Sequence, residues 1–178
     1  PNPNSSGTGF FDVTAWLQVF GEKGGWDYMT KLHDNIAVYT HSGSKPCKMA
    51  GAGEFPVGLS FEYRANTTRS QGAPIDVVYP KEGLGWDLEA TAIVKGTPKL
   101  DAAKKLADWS ASREANMLYA KNFAVVAIPG IATRLPHVPA DYEKRLVKND
   151  FKWIAKNRQT ILAEWQKRFA AKSEPQTK

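Results

Sequence analysis

The sequence predicts an α/β fold, and three observations carry the prediction. Short apolar runs of strand character alternate with stretches of helical periodicity along the 178 residues. Most runs stop at Gly or Pro, which break regular structure. A chain that is 42% hydrophobic and 24% charged has the composition of a folded globular protein rather than a disordered one. The length suits one ordinary domain or part of a larger one.

The elements follow in order. The opening Pro1-Asn2-Pro3-Asn4-Ser5-Ser6-Gly7-Thr8-Gly9 is extended at first, because each proline disfavours helix in the residue before it. From Phe10 the apolar residues Val13, Ala15, Trp16, Leu17, Val19 and Phe20 follow a helical pattern that ends at Gly21 and Gly24-Gly25. A second helix fits Trp26 to Leu32, and Ile36 to Thr40 reads as a short buried strand. Ser42-Gly43-Ser44-Lys45-Pro46 supplies a capping Ser ahead of a first-turn proline, starting a helix of about two turns that runs to Ala52.

Val57 to Phe61 and Ile75 to Tyr79 are strand candidates, with a short helix from Glu62 to Thr68 between them. Leu88 to Val94 is a further strand, Asp101 to Ala111 and Arg113 to Ala120 are helices, and Ala124 to Ile128 is a short apolar strand. The proline-rich stretch 129–139 reads as a chain passing between structural units, which argues against one simple doubly wound sheet. A last helix is expected from Asn157 to Lys172, with Ile161, Leu162, Trp165 and Phe169 on one face, followed by a polar end, Ser173 to Lys178.

The net charge of +6 invites a nucleic-acid reading, but its distribution argues against one. Residues 141–178 carry ten of the 24 Lys and Arg and only five of the 18 Asp and Glu. The excess therefore belongs to the wet face of the terminal helix. No apolar run approaches the roughly 20 residues of a membrane-spanning helix. The lone Cys47 excludes an internal disulfide and a Cys-cluster metal site.

Ser5, Ser6, Gly7 and Thr8 at a helix start are the most informative residues. They offer hydroxyls, backbone that a ligand can approach, and first-turn amides at the positive end of a helix dipole. Phosphate, phosphonate, sulfonate and carboxylate all suit such a place, and so does a plain helix cap. The Gly-Lys-Ser/Thr ending of a phosphate-binding P-loop is absent. Ser42 and Ser44 repeat the pattern at a second helix start, and together the two favour a small anion. Acidic residues could hold a cationic part of the same ligand: Glu62 beside Tyr63 and Arg64, and Asp87 and Glu89 beside Trp86, whose ring suits an ammonium. His33, His41 and His137 have no metal-ligand spacing, Cys47 has no partner cysteine, and no Gly-x-Ser-x-Gly elbow occurs, so neither a metal nor a cofactor nor an enzymatic constellation is expected.

Three runs in order, Pro3 to Phe10, Ser42 to Ser44 and Gly53-Glu54-Phe55-Pro56-Val57-Gly58-Leu59-Ser60-Phe61-Glu62-Tyr63-Arg64-Ala65, resemble the solute-binding proteins of ABC importers. So do Tyr79 to Gly83, Ala102 to Trp109 and the terminal Asn157-Arg158-x-x-Ile161-Leu162-x-x-Trp165. The type is the two-lobed periplasmic class that includes ferric-ion binders. The Ser-Phe-Glu-Tyr-Arg-Ala variant looks most like the 2-aminoethylphosphonate-binding subgroup, because Arg64 stands where ferric binders place a second tyrosine after Tyr63.

The resemblance implies a periplasmic protein of the type II binding-protein fold, with no enzymatic activity. It would capture a small anionic or zwitterionic solute by hinge closure and pass it to a membrane permease. It implies ligand-binding roles for Ser5, Ser6, Gly7, Thr8, Ser42, Ser44, Ser60 and Tyr63 as well as the acids and Trp86. Ferric-ion, phosphate-ester and polyamine binding are the alternatives on the same scaffold. An enzyme acting on a phosphorylated substrate, and a nucleic-acid-binding fragment, are the alternatives from other classes. Members of the family are about twice as long, so the resemblance implies a C-terminal portion. Residues 1–88 would be second lobe, 89–124 a return to the first lobe, and 125–178 second lobe again.

Overall fold

The computed structural model describes residues 1–123, 125–131 and 135–175. Its helices are α1 (Gly7–Asn35), α2 (Lys45–Gly51), α3 (Glu62–Ser70), α4 (Leu100–Ser110), α5 (Arg113–Tyr119) and α6 (Phe151–Phe169), with single 3-10 turns at Tyr142–Arg145 and Ala170–Lys172. The chain gathers into two compact units, Pro1–Trp86 with Arg145–Lys178, and Asp87–Lys144.

In the first unit, α1 begins where Ser6, itself extended at φ −132° and ψ 124°, accepts the Gly9 amide on its hydroxyl. The first helical stretch breaks at Gly21, as its sequence predicts, and a second follows that takes in Gly24 and Gly25 as well as the expected Trp26 to Leu32. Only Gly21 leaves helical geometry, at φ 73° and ψ 165°, and the chain resumes helix at once. A residue without Cβ adopts that positive φ without steric cost, so Gly21 separates the two helical stretches, while Gly24 and Gly25 lie inside the second.

The α1 residues Phe10, Val13, Leu17, Trp26 and Met29 form one core with Ile154, Ile161, Trp165 and Phe169 of α6. The α6 set recurs at helical spacing and covers one face. The helix starts six residues earlier than expected because Asp150 accepts the Trp153 amide at 2.9 Å and caps it. It ends three residues earlier, as the last turn tightens to 3-10.

Part of the basic excess of the tail serves this core. The Arg158 guanidinium lies 4.5 Å from the Phe10 ring centre, and that of Arg168 lies 5.1 Å from Trp26. Lys172 donates to the carbonyls of His33 and Ile36 at 2.6 and 2.8 Å, satisfying the C-terminal end of α1.

The expected strands of this unit are corrected. Ile36 to Thr40, Val57 to Phe61 and Ile75 to Tyr79 form no strand ladder among the described residues. What pairs are two isolated parallel bridges, Tyr39 with Ser173 and Leu84 with Leu146. Apolar alternation specifies extended backbone, but a strand also needs a neighbour in register. Only Thr40 in the first segment is buried, and Val57 and Val78 in the others are 78% and 84% exposed.

In the second unit, α4 and α5 match the expected helices to within a residue. Ser112 caps α5 by accepting the Ala115 amide at 3.2 Å. Leu88 to Val94, expected as a strand, is irregular, and Thr91 accepts a hydrogen bond from Ser110 at 3.2 Å. Residues 125–128 likewise form no strand, and Ala124 lies outside the described residues. The described part of 131–140 is loop, as its prolines require, while 132–134 lie outside. No helix among the described residues is long and apolar enough to cross a membrane.

Candidate functional site

The serines singled out by sequence meet in the first unit, and the chain's opening turn brings them there. Asn2 is buried, and its carbonyl accepts the amides of Ser5 and Ser6 at 3.2 and 2.9 Å. Its side-chain oxygen accepts the Asn4 amide at 2.8 Å, an Asx turn that delivers Ser5 and Ser6 to the start of α1. The Asn2 amide in turn donates to the Thr40 carbonyl at 2.8 Å, drawing residues 40–44 alongside.

Gly43 is what lets the two segments touch. A Cβ there would lie 2.3 Å from Thr8 Oγ1 and 2.7 Å from Thr8 Cβ, too close for any real side chain without a shift of Thr8. The Ser42 and Ser44 hydroxyls lie 3.0 Å apart and share a hydrogen bond. Ser60 donates to the Gly43 carbonyl at 2.6 Å, so the segment leading into α3 is tied to the same turn.

The helix start is electrostatically open. No acidic residue stands in the first turn of α1. The Gly9 and Phe10 amides are bonded to Ser6, whereas the Gly7 and Thr8 amides have no partner among the described residues. Two unpaired amides at the positive end of a long helix favour an oxyanion. Ser5 is exposed beside them, with its Oγ 2.7 Å from His41 Nδ1. Helix α2 has only seven residues, so Ser42 and Ser44 contribute through their hydroxyls rather than through its dipole.

The first turn of α3 carries the next three residues. Burial raises the Glu62 carboxyl above its ordinary value, while the hydrogen bond from Asn66 opposes that rise. Asn66 also donates to the Tyr79 hydroxyl at 3.1 Å. The Tyr63 ring stacks on Phe61, and the Arg64 guanidinium lies 5.9 Å from its centre. Arg64 Nε is buried without a hydrogen-bond partner, an arrangement that costs stability unless an acceptor arrives.

The remaining expected residues are Trp86, Asp87 and Glu89. The Trp86 indole donates to the Val147 carbonyl at 2.6 Å and its ring meets Phe151 edge-on, so Trp86 anchors the C-terminal segment. Asp87 and Glu89 are exposed in the second unit, and the Asp87 carboxylate accepts the Leu88 amide at 2.6 Å. Burial raises the Asp87 carboxyl somewhat.

Sequence reading missed His41, Lys45 and Glu174. In the sequence His41 shows only a lack of metal-ligand spacing, and Glu174 lies in the polar end. The His41 amide donates to Glu174 Oε1 at 2.6 Å, and His41 Nε2 lies 2.9 Å from the Glu174 carbonyl. Lys45 pairs with the other Glu174 oxygen, and that ion pair, with the His41 amide, holds the carboxyl below its ordinary value. The one available signal was the position of His41 directly before Ser42. Among the described residues, no three His, Cys, Asp or Glu side chains gather as a metal site.

The arrangement offers donors and positive potential to a small oxyanion. The sequence profile of the bacterial extracellular solute-binding proteins matches residues 4–144. An uncharacterized protein of Haemophilus influenzae is 35% identical over 117 residues, which is 66% of this chain and 34% of that protein. The solved periplasmic binding protein AfuA of Actinobacillus pleuropneumoniae, with exogenous fructose-6-phosphate bound, superposes with a TM-score of 0.82 at 30% identity. That match covers 95% of this chain and 54% of AfuA, so the chain spans about half the length of that relative and a third of the other. The profile match extends over well over half of the sequence, and the chain belongs to the bacterial extracellular solute-binding protein family.

Proposed function

We propose that this chain is the solute-capturing part of a periplasmic binding protein, and that it delivers a small phosphonate zwitterion of the 2-aminoethylphosphonate type to an ABC permease. The observation that carries the reading is the convergence of Ser5, Thr8, Ser42 and Ser44 on the unneutralised start of α1, where the Gly7 and Thr8 amides are unpaired. A tetrahedral oxyanion takes two or three such donors at once, and charge-assisted hydrogen bonds of this kind are the strong ones. Ser6 caps the helix rather than meeting ligand, and Ser60 spends its proton on Gly43, so both position the donors. Arg64 supplies the positive charge that opposes a ferric ion, and its unpaired Nε supports an anionic ligand. Glu62, beside Tyr63 and Arg64 in the first turn of α3, is the carboxylate we assign to the ammonium.

A second reading is favoured by one observation. AfuA carries a phosphate monoester, and a sugar phosphate presents the same oxyanion without the ammonium. In either reading the solute leaves unchanged. The first unit is assigned to the second lobe of the two-lobed fold. The lobe crossings proposed from sequence lie near residues 88 and 124, and the two compact units meet at 86/87 and 144/145.

Calorimetric titration of the full-length protein with 2-aminoethylphosphonate, methylphosphonate, fructose 6-phosphate and ferric citrate separates these readings. The proposal expects 2-aminoethylphosphonate to bind tightest and to be recovered intact. Preference for fructose 6-phosphate would establish the second reading. Binding of iron alone, or conversion of any phosphorylated compound, would refute both.

A further inference from the structure

We propose that His41 is a positioning residue that couples capture of the oxyanion to uptake of a proton, by deciding which way the Ser5 hydroxyl donates. The inference rests on the proposed anion site at the start of α1, and its basis is a chain of hydrogen bonds. His41 Nε2 lies 2.9 Å from the Glu174 carbonyl, which can only accept, so Nε2 carries a proton. In a neutral imidazole Nδ1 is then the acceptor, and its neighbour at 2.7 Å is Ser5 Oγ. Ser5 must therefore give its proton to His41. The other acceptor near that hydroxyl, the Asn2 carbonyl, is 3.5 Å away. In this state Ser5 presents lone pairs to the site and repels an anion.

A proton from solvent on Nδ1 reverses the arrangement. Nδ1–H now donates to Ser5 Oγ, the Ser5 hydroxyl is released, and its proton turns to the bound oxyanion beside the Gly7 and Thr8 amides. One proton enters with the ligand and no covalent bond changes. The charged groups bonded into this network are the Glu174 carboxylate, which accepts the His41 amide, and Lys45 of α2, which pairs with that carboxylate. The opening turn and the start of α1, residues Asn2 to Gly9, contribute no ionisable side chain. The Glu174 charge so placed tolerates an imidazolium at His41.

The test is the affinity of the full-length protein for methylphosphonate from pH 5.5 to 8.5, by calorimetry in buffers of different ionisation enthalpy, for the natural protein and for His41→Asn and His41→Gln. The ligand titrates too, but identically for all three proteins, so the ratio of natural to variant affinity isolates His41. The ratio is expected to rise about tenfold toward low pH, with one more proton taken up by the natural protein. Ser5→Ala should bind more weakly and lose that extra proton. A ratio independent of pH in both variants overturns the coupling while leaving the anion site intact. Absence of methylphosphonate binding at every pH overturns both. Should the variants fold poorly, nitrogen NMR of the natural protein gives a direct reading. Ligand addition should move the His41 ring from the Nε2–H tautomer toward the imidazolium, and an unchanged ring in the ligand-saturated protein sinks the proposal.

Discussion

Ser60 Oγ donates to the Gly43 carbonyl at 2.6 Å, and the α-carbon of Gly43 faces Thr8 so closely that a Cβ would lie 2.3 Å from its hydroxyl oxygen. One turn is thus held from both sides, by a hydrogen bond and by the lack of a side chain. Gly43→Ala should push residues 42–44 off the start of α1, costing about 1–3 kcal/mol and most ligand affinity. Ser60→Ala removes only the tether and should cost about 1 kcal/mol. Denaturant melts and calorimetry on the two variants check this order, and normal binding by the Gly43→Ala variant would contradict it.

Arg64 offers a separation of stability from binding. Its buried Nε has no partner, so the folded protein gains nothing from that atom until a ligand accepts from it. Arg64→Lys retains the charge but not the planar fork of donors. Binding should weaken tenfold or more, about 1.5–3 kcal/mol for a charged hydrogen bond, with the melting temperature unchanged or raised. Equal losses in both would mean that Arg64 is a structural residue only.

The core between α1 and α6 sets the stability of the first unit. Trp165 is 2% exposed, with Tyr39 and Phe169 against its ring. Trp165→Ala should cost about 3–5 kcal/mol, read as a lower midpoint in urea. Arg158→Ala, which leaves the core but uncovers the Phe10 ring, should cost about 1 kcal/mol or less.

Asp12 makes stability depend on pH. Burial raises its carboxyl from 3.8 to about 6. The folded chain therefore holds a proton between those values that the unfolded chain releases, so this contribution to stability is present in acid and lost as pH rises toward about 6. Asp12→Asn should raise the melting temperature at pH 7.5 and make little difference near pH 4. A gain of the same size at both pH values would show that charge burial is not the cause.

Helices were legible in the sequence wherever apolar spacing and a cap agreed. The seven-residue α2 begins where Ser44 and Pro46 predict, although the Ser44 hydroxyl makes no capping hydrogen bond, and α5 follows from its helical pattern. Errors arose where one residue did a job that composition does not show. Gly21 breaks the helix as predicted, but Gly24 and Gly25, which look like part of the same stop, sit inside the second stretch, because only Gly21 takes a positive φ. The segments around Val57 and Val78 alternate as strands do, yet alternation says nothing about which neighbour a strand will find. At the candidate site, the hydroxyls and glycines of Ser5, Thr8, Ser42 and Ser44 cluster locally in the sequence, and the fold brings the two segments together. His41 and Glu174 do not cluster there, since 133 residues separate them and only the fold joins them. Trp86 looked like a ligand cover because exposed-loop glycines flank it, whereas its indole is committed to Val147.

The central claim is that the oxyanion sits on the unpaired amides at the start of α1. It is tested most directly by following the Gly7 and Thr8 amide resonances of the full-length protein while titrating 2-aminoethylphosphonate. Both should shift strongly downfield, in proportion to the occupancy measured by calorimetry, as new charge-assisted hydrogen bonds form. Saturating binding that leaves both amides unmoved would contradict the account.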